Sequence, residues 1–512
     1  MWGMKQTLIL VILDGWGIGA ENESNPIYRA QPQTIKFIEA NFPAGALQAS
    51  GLAVGLPWEE EGSSEVGHLT LGAGRVLEQY FLKISGCIED GSFFENPKLK
   101  EAFAHAKKNN SAAHLVGLFS EGNVHSSLKH LSALLEMAKR EGASRVFLQL
   151  FSDGRDSKPR SVLEALKKFL GENILASLSG RFYAMNRDGH WERTEKVYRV
   201  LTEGGQALKT PEELTKAAYA RDFNDEFIEP AATSGPHPIA ENDAVIFFNF
   251  REDSIRQISE PFLNPTFDKF PVKNFKNLSV VTMTKYQEEF EKNAAFTTEK
   301  IENTLGKVLA DAGKIQLRIA ETAKYTHITY FFDGYNDKPF ANEYGILVPS
   351  EKLAHPEEHP AMMAETITDR AVISLNEGGF DFILVNYGNP DITAHTKNYN
   401  SVLEAVKVID RELERLMKSA LGHEHILLIT SDHGNAENLI DLKTGEPETK
   451  HNPNPVPFYL VGKQFQKSIP TPEGKKLEII GMLSDVAPTI LELMRLSKPP
   501  EMTGQSLLEQ LI

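Results

Sequence analysis

Short apolar runs alternate with amphipathic stretches along the 512-residue chain, and this alternation restricts the fold more than any other feature. Apolar residues recur at helical spacing in Leu128–Glu141, Arg160–Leu170, Glu192–Leu201 and Ser401–Leu416. Strands that alternate with helices in this way build parallel sheets covered by helices, so the pattern predicts an α/β fold. The apolar runs of strand length are Leu8–Leu13, His114–Phe119, Arg145–Leu150, Ala244–Phe250, Phe382–Asn386 and Ile426–Ser431.

Composition limits the size and the class of the protein. The length predicts two or three domains, and the 41% of hydrophobic residues are enough to form buried cores. Asp and Glu outnumber Lys and Arg by 70 to 54, which argues against non-specific binding to nucleic acid or to an anionic membrane. The single cysteine, Cys87, excludes an intramolecular disulfide and a thiolate metal site. We expect a cytoplasmic protein, because the first apolar run is too short to span a membrane and no cleavage site follows it.

The segment Val280–Thr298 is polar and has no apolar period. Such a stretch between periodic segments is typical of a loop or a linker. It therefore predicts a connection between two domains.

Polar side chains follow four of the predicted strands. In open α/β sheets, ligands bind outside the carboxyl ends of the strands. A single residue of this kind is well explained as a cap of the next helix, but four strand ends with the same chemistry favour a ligand site. The residues are Asp14, Ser152 with Asp153, Asn386, and Asp432 with His433.

Carboxylates and imidazoles form a candidate metal site. Asp391 and His395 are four residues apart and share one face if their segment is helical. Oxygen and imidazole donors without sulfur suit Mn²⁺, Zn²⁺ or Fe²⁺ better than Ca²⁺ or Mg²⁺, and three Asp with three His indicate two ions. Taken singly, a histidine is more often a core or surface residue than a metal ligand, and the adjacent Asp432 and His433 fit either explanation about equally; the joint arrangement favours a metal site. The candidates are Asp14, Asp391, His395, Asp432, His433 and His451.

A glycine-rich turn offers a nucleophile. The segment EGSSEVGHLTLGAGR, residues 61–75, holds Ser63 and Ser64 close to Glu65 and His68. Such turns cradle phosphate through backbone N–H groups, and a serine beside divalent ions can act as an alkoxide nucleophile. By itself the segment indicates only a flexible loop. If this serine and the metal candidates serve one site, the two ends of the chain share a domain and the middle is inserted between them.

Four motifs in the middle of the chain suit an acidic substrate. Guanidinium groups bind phosphate and carboxylate, although surface pairs of Arg with Asp explain each arginine motif equally well. The motifs are EGNVHSS at 121–127, SDGRDSKPR at 152–160, NRDGHWER at 186–193 and NFREDSIRQ at 249–257.

Taken together, the motifs resemble those of the cofactor-independent phosphoglycerate mutases, members of the alkaline phosphatase superfamily. The resemblance implies an alkaline-phosphatase-like metal domain, residues 1–78 and 298–512, with an inserted α/β transferase domain, residues 82–294. It spans essentially the whole chain, through LDGWGIG, SEVGHLTLGAGR, SDGRDSKPR, NRDGHWERTEKVY, FFNFRED, LRIAETAKYTHIT, NPDITAHT, SDHGNAEN, HNPNPVPF and LSDVAPTILELM.

The resemblance also implies a reaction. The expected activity interconverts 3-phosphoglycerate and 2-phosphoglycerate, a step of glycolysis and gluconeogenesis, through a phosphoserine intermediate. It needs two divalent metal ions, Mn²⁺ being the expected ion and Zn²⁺ or another ion the alternative, and no 2,3-bisphosphoglycerate. A small phosphoglycerate is then the expected partner, bound by a monomer.

Site residues follow motif by motif. The resemblance implies that Ser64 is the nucleophile and that Lys324 neutralises charge on the phosphoryl group; our hypothesis is that Asp156 exchanges the proton with the glycerate hydroxyls. One metal ion would be bound by Asp14, Ser64, Asp432 and His433, and the other by Asp391, His395 and His451. The substrate would be bound by His125, Arg155, Asp156, Arg187, Arg193, Arg251 and Lys324.

Four positions depart from the family pattern and concern substrate affinity more than reaction class. Ser254 stands where the family motif NFRxDR has its second arginine, and Arg256 is a candidate substitute. Ser127 replaces a second histidine, Ala394 replaces a glycine, and Ala323 replaces a glutamate before Lys324. The alternatives are a phosphopentomutase-like transferase, a phosphomonoester hydrolase, or an inactive metal-binding protein.

Overall fold

Strands and helices alternate along the chain in a computed structural model that describes residues 6–58, 60–170, 174–204, 208–233, 237–297, 301–351, 356–442, 445–448, 450–472 and 474–512. The strands are β1 (Leu8–Leu13), β2 (Ala44–Gln48), β3 (Ala113–Phe119), β4 (Val146–Ser152), β5 (Ile174–Gly180), β6 (Ala231–Ala232), β7 (Ala244–Phe247), β8 (Ser279–Thr284), β9 (Ala294–Phe296), β10 (Gln316–Glu321), β11 (Glu343–Val348), β12 (Phe382–Tyr387), β13 (Ile426–Thr430), β14 (Val456–Val461) and β15 (Ile479–Met482).

Helices lie between most of these strands. They are α1 (Pro26–Ala30), α2 (Gln33–Asn41), α3 (Ser64–Ala73), α4 (Tyr80–Asp90), α5 (Pro97–Lys108), α6 (Leu128–Glu141), α7 (Val162–Phe169), α8 (Arg181–Ala184), α9 (Trp191–Glu203), α10 (Pro211–Tyr219), α11 (Arg256–Leu263), α12 (Leu305–Asp311), α13 (Thr322–Thr326), α14 (Ala364–Glu377), α15 (Asn389–His395), α16 (Tyr399–Gly422), α17 (Val486–Leu493) and α18 (Leu508–Leu511). The predicted α/β class is confirmed.

The chain divides into two compact units. Unit 1 comprises Met1–Glu78 and Lys300–Ile512, and unit 2 comprises Gln79–Glu299. We propose that these units are the two domains expected from the sequence. The expected boundary at residue 298 lies outside the described residues.

An eight-stranded sheet forms the centre of unit 1, in the order β11-β10-β12-β1-β13-β14-β2-β15. Strand β1 pairs in parallel with β12 on one side and with β13 on the other. Its residues are apolar throughout because both faces of the sheet are covered: Ile9 and Val11 pack into one core, and Leu8 and Leu10 into the core on the other face. The carboxyl ends of β10, β12, β1 and β13 therefore lie side by side.

A seven-stranded sheet forms the centre of unit 2, in the order β6-β5-β4-β3-β7-β8-β9. All neighbouring strands are parallel except β5 and β6. Strand β3 is buried on both faces, with Leu115 in one core and Val116 in the other. Unit 2 is thus a separate α/β layer structure with its own cores.

The interpretation of Val280–Thr298 as an interdomain connection is wrong for the described part of that segment. Strands β8 and β9 lie there and pair with the second sheet. Thr282 and Thr284 make the segment look polar, but both are buried and both hydroxyls donate to main-chain oxygens, of Thr284 and Phe250 respectively. β-Branched threonine suits a strand once its hydroxyl is bonded.

No helix among the described residues has both the length and the apolar composition that a membrane span requires.

Candidate functional site

The carboxyl ends of the central strands of unit 1 bring the predicted metal ligands together. Asp14 follows β1, Asp391 and His395 lie on α15 after β12, and Asp432 with His433 follows β13. The helical segment predicted for Asp391 and His395 is present, and His395 Nε2 lies 3.3 Å from Asp391 Oδ1. Adjacent parallel strands end at one edge of the sheet, which explains why residues so distant in sequence meet.

Ser64 lies at the start of α3 and contacts this group. Its Oγ is 3.0 Å from Asp14 Oδ1 and 3.0 Å from His433 Nε2. Ser63 caps the helix, because its hydroxyl accepts from the N–H of Val66. Ser64 is buried and begins the helix, where the free N–H groups favour negative charge.

Lys324 points its ammonium group into the same cluster. Its Nζ donates to Asp14 Oδ1 at 2.5 Å, to Asp391 Oδ2 at 2.7 Å and to Ser64 Oγ at 2.8 Å. Burial opposes the charged form, but the carboxylates of Asp14, Asp391 and Asp432 outweigh it and raise the pKa of Lys324 above its ordinary value. A permanent positive charge therefore lies beside the Ser64 hydroxyl.

Two groups of three side chains each bring ligand atoms within 4.8 Å of one another: Asp14 with Asp432 and His433, and Asp391 with His395 and His451. They match the two ligand sets expected from the sequence, apart from Ser64, which contacts the first set.

The hydrogen bonds of the buried His433 and the half-buried His451 fix which ring nitrogen can bind a metal. His433 Nδ1 donates to the main-chain oxygen of Gly434 at 3.3 Å, and His451 Nδ1 donates to that of Gly62 at 2.8 Å. Since a carbonyl only accepts, the Nε2 atoms carry the lone pairs, as in many metal sites. His451 Nε2 lies 3.2 Å from His395 Nε2.

This donor set fits divalent cations. Among the described residues, the buried Asp432 Oδ2 has no hydrogen-bond partner of good geometry, although His68 Nδ1 lies 3.1 Å from it. Buried carboxylates in such number are costly unless cations compensate them. Lys324 supplies one positive charge against Asp14, Asp391 and Asp432, so the group is suited to further positive charge.

Several residues hold these ligands without having been predicted as site residues, although the sequence did place Asn386 at a strand end that favours a ligand site. His68 Nδ1 lies 2.8 Å from the main-chain oxygen of Ser64, Asn386 donates to Asp14 Oδ2 at 2.9 Å, and Asn435 donates to Asp391 Oδ1 at 2.8 Å. Glu437, which is buried, accepts from the N–H groups of Gly17 and Asn435. The available signal was their position inside the SEVGH, FILVN and DHGNAEN motifs.

In unit 2, Asp253 joins three of the predicted substrate residues. His125 Nδ1 lies 3.4 Å from Asp253 Oδ1, Arg187 Nη1 donates to Oδ2 at 2.8 Å, and Arg251 Nε lies 3.5 Å from Oδ2. Burial opposes ionisation of Asp253, but Arg251 and His125 hold its pKa below the ordinary value.

His125 faces a second carboxylate across the group. Its Nε2 lies 3.9 Å from Asp156 Oδ2. Burial is the main cause that lowers the pKa of His125 to about 4, and the positive charges of Arg181 and Arg251 add to it. The imidazole is therefore neutral near pH 7.

Two other predicted substrate residues, Arg155 and Arg193, contact residues other than Asp253. Arg155 is exposed, and its main-chain N–H donates to Asp153. The guanidinium of Arg193 stacks on Phe182 at 4.0 Å from the ring centroid.

Two departures from the family motifs have local structural explanations. Arg256 donates from Nε to the main-chain oxygen of Tyr286, while the N–H of the buried Ser254 donates to Asp253. The hydroxyl of Ser127 accepts from the N–H of Lys129 and caps α6. Ser127 is therefore a helix cap in this chain.

Comparison with known proteins finds relatives along almost the whole chain. A family model described as "BPG-independent PGAM N-terminus" matches residues 84–288. Proteins named 2,3-bisphosphoglycerate-independent phosphoglycerate mutase are similar over almost their full lengths. The one from Synechococcus sp. (strain JA-3-3Ab) is 43% identical, covering 98% of this chain and 96% of the relative. Those from Moorella thermoacetica and Clostridioides difficile (strain 630) are 42% and 41% identical, covering 99% of this chain and 99% and 100% of the relatives.

A solved structure shares the fold. The crystal structure of Leishmania mexicana phosphoglycerate mutase at low cobalt concentration superimposes with a TM-score of 0.70 at 26% identity, covering 98% of this chain and 97% of the other. Relatives above 40% identity along almost the whole chain leave one assignment. The chain belongs to the family of 2,3-bisphosphoglycerate-independent phosphoglycerate mutases.

Proposed function

We propose that the protein interconverts 3-phosphoglycerate and 2-phosphoglycerate through a phosphoserine formed on Ser64, without 2,3-bisphosphoglycerate. The observation that carries the proposal is the contact of Ser64 Oγ with Asp14, His433 and Lys324 at 2.8–3.0 Å. A hydroxyl held by a carboxylate, an imidazole and an ammonium group is an activated nucleophile.

Two divalent ions would complete this site. Asp14, Ser64, Asp432 and His433 would hold one ion, and Asp391, His395 and His451 the other. When bound, such ions favour the alkoxide form of serine and neutralise charge on a phosphoryl group. We propose Mn²⁺, while Zn²⁺ fits the same donors and metal supply decides between them.

The phosphoryl group moves in two transfers. In the first, Ser64 Oγ loses its proton and forms a bond to phosphorus while the bond from phosphorus to the C3 oxygen of the substrate breaks, and that oxygen takes a proton. In the second, the C2 hydroxyl loses a proton and its oxygen forms a bond to phosphorus while the bond from phosphorus to Ser64 Oγ breaks, and Ser64 Oγ takes a proton, which restores the serine. The charge of Lys324 stabilises the phosphoryl group in both transfers, and phosphoryl transfer depends mostly on such positioning and charge.

We propose that groups of unit 2 bind the glycerate part. Arg155, Arg187, Arg193 and Arg251 supply guanidinium groups for the carboxylate, and the neutral His125 offers a hydrogen bond to a hydroxyl. Asp156 would accept and return the proton of the glycerate hydroxyls. The cytoplasmic location and the monomeric state expected from the sequence stay predictions.

Phosphorus NMR tests the reaction directly. The protein is stripped of metal with chelator, reconstituted with Mn²⁺ and given 3-phosphoglycerate without 2,3-bisphosphoglycerate. We expect a new 2-phosphoglycerate signal. Inorganic phosphate as the only product would indicate a phosphomonoester hydrolase, and an unchanged spectrum would contradict the proposed substrate.

A further inference from the structure

Arg181 is a buried arginine that lies between two carboxylates of unit 2. It follows β5 directly as the first residue of α8, at the carboxyl end of a strand. Its side chain is 8% exposed, and one atom, Nη1, donates to Asp153 Oδ1 at 2.6 Å and to Asp156 Oδ2 at 2.5 Å. The bond to Asp156 links Arg181 to the residue that we propose as the proton acceptor.

Asp153 organises the turn that carries Arg155 and Asp156. It is 2% exposed, its Oδ1 accepts from the N–H groups of Arg155 and Asp156, and its Oδ2 accepts from Ser157. The hydroxyl of Ser120 donates to Oδ2 at 2.6 Å. One buried carboxylate thus fixes three consecutive main-chain N–H groups, and Arg181 binds that carboxylate as well as the side chain of Asp156.

Arg181 is one of the groups that keep Asp153 ionised. Burial opposes ionisation of Asp153, but hydrogen bonds from Ser120, from the turn and from Arg181 hold its pKa below the ordinary value. A buried guanidinium gains little net stability from such a pair, since desolvation offsets most of the attraction. In some proteins, buried charge pairs fix the geometry of the site more than they add stability. Here the Arg181 pair fixes the orientation of the Asp156 carboxylate.

We propose that Arg181 is a positioning residue for the mutase reaction, which holds the Asp156 carboxylate in its reactive orientation; this inference depends on the proposed function. Asp156 Oδ2 lies 3.9 Å from His125 Nε2, so the same oxygen that Arg181 binds faces the proposed substrate histidine. The Asp156 side chain is 16% exposed, so we expect its carboxylate to lose this fixed orientation when Arg181 is removed.

The test replaces Arg181 in the full-length, Mn²⁺-loaded protein. R181Q removes the charge, R181K keeps the charge but not the fork of N–H donors, and R199Q is the matched control. Arg199 lies on α9 of the same unit, half exposed, and pairs with Glu195 and Glu203. The kcat and KM for 3-phosphoglycerate, the ratio of inorganic phosphate to 2-phosphoglycerate, bound metal and the thermal midpoint are measured for each.

We expect R181Q to lower kcat about 100-fold, the loss typical of a reacting group displaced by about 1 Å, with KM within threefold of the unaltered protein. The proportion of inorganic phosphate should rise, because Ser64 and the metal ligands are intact. R181K should recover part of kcat, and R199Q should match the unaltered protein.

The outcomes separate this inference from the proposed function. An unaltered protein that makes no 2-phosphoglycerate overturns the proposed function. An active unaltered protein with R181Q within threefold of its kcat overturns the inference alone, as does a loss in R181Q that merely follows the folded fraction. If R181Q does not fold, R181K carries the test: a kcat at least fivefold lower with KM unchanged supports the inference, and an unchanged kcat overturns it.

Discussion

Ser64 is the proposed nucleophile, so the proposed reaction depends on it directly. Its hydroxyl contacts Asp14, His433 and Lys324, so its removal separates phosphoryl transfer from the rest of the site. We expect Ser64→Ala to form no 2-phosphoglycerate, while it binds both metal ions or nearly so, because the other ligands stay. Phosphorus NMR and metal analysis of the purified variant measure both properties.

Ser63→Ala is the matched control for this variant. Ser63 caps α3 through the N–H of Val66, so its loss should cost about 1 kcal/mol of stability and leave transfer in place. Near-normal turnover in Ser64→Ala would rule out the phosphoserine.

Single residues differ in how well the sequence reveals them. Asp432 and His433 are adjacent and follow an apolar strand, so the sequence alone predicts their position at a sheet edge. Arg181 is one of two arginines in GRFYAMNRDG, residues 180–189. The role that we propose for it depends on its contacts with Asp153 and Asp156, which follow the neighbouring strand β4. The contact exists only after β4 and β5 pair, and a spacing pattern in the sequence does not encode it.

At the scale of elements, α3 positions the nucleophile by packing closely against its neighbours. A Cβ atom at Gly72 would lie 1.9 Å from the main-chain oxygen of Phe332, and one at Gly67 would lie 2.3 Å from that of Asp432. Phe332 follows the π-helical turn His327–Phe331, which continues α13 and its Lys324. The two glycines therefore set the distance from α3 to both the metal-ligand strand end and the lysine helix.

Gly72→Ala should displace α3 and lower both stability and activity. The clash is with backbone, which cannot move aside as a side chain does, so we expect a loss of about 1–3 kcal/mol. Thermal unfolding and mutase assays measure the effect.

Gly86→Ala is the matched control, because Gly86 lies within α4 and nothing would be within 4 Å of its Cβ. This change should stabilise the protein by about 0.5–1 kcal/mol. A Gly72→Ala variant that unfolds no earlier than the unaltered protein would contradict the close packing of α3.

Elements were predictable where one periodicity is strong. Leu8–Leu13 and Leu128–Glu141 have the predicted bounds, and α16 extends the predicted Ser401–Leu416 at both ends. The prediction for Val280–Thr298 was wrong because its buried threonines donate their hydroxyls to main-chain oxygens. A hydropathy pattern counts threonine as polar and therefore predicts an exposed segment. Strand β10 was not predicted, because Gln316 and Arg318 interrupt its apolar run although both are fully buried.

At the scale of the whole molecule, metal binding should depend on pH. Histidine binds a metal ion only when neutral. Burial opposes protonation of His433, but Asp432, Asp391 and Asp14 raise its pKa above the ordinary value, so protons compete for this ligand. Since the pKa lies above the ordinary value of about 6.5, we expect Mn²⁺ occupancy to begin falling above pH 6.5 and to keep falling as pH drops further, as measured by equilibrium dialysis from pH 8 to 5.5. Constant occupancy over that range would contradict histidine ligation.

The topology of the whole molecule was inferred from chemistry alone. Asp14 and Ser64 lie near the start of the chain, and the other ligands lie after residue 390, so a common site requires the two ends to fold together. The pairing of β1 with β12 and β13 meets that requirement. The order of the outer strands, in which β14 pairs with β2, depends on long-range packing and has no local signal.

A buried charge group outside the proposed ligand sets links overall stability to pH. The buried Arg318 on β10 lies 3.4 Å from Asp333 and 3.9 Å from Glu343, and both carboxylate side chains are 3% exposed. Burial raises the pKa of Asp333 to about 8; Arg318 opposes this and the charge of Glu343 adds to it. One guanidinium thus faces two carboxylates, and the folded protein holds a proton that the unfolded chain has released.

Asp333→Asn should therefore weaken the dependence of stability on pH. Between about pH 4 and pH 8 the folded state binds one more proton than the unfolded chain, so stability falls as pH rises, by at most about 1.4 kcal/mol per unit. Asparagine removes that proton, so the variant should gain most at pH 8 and least at pH 5. Thermal midpoints of metal-free protein at these pH values measure the effect without metal competition. Asp311→Asn is the control, since Asp311 is an exposed carboxylate paired with Lys307. An equal shift of the Asp333→Asn midpoint at every pH would contradict a protonated Asp333 in the folded protein.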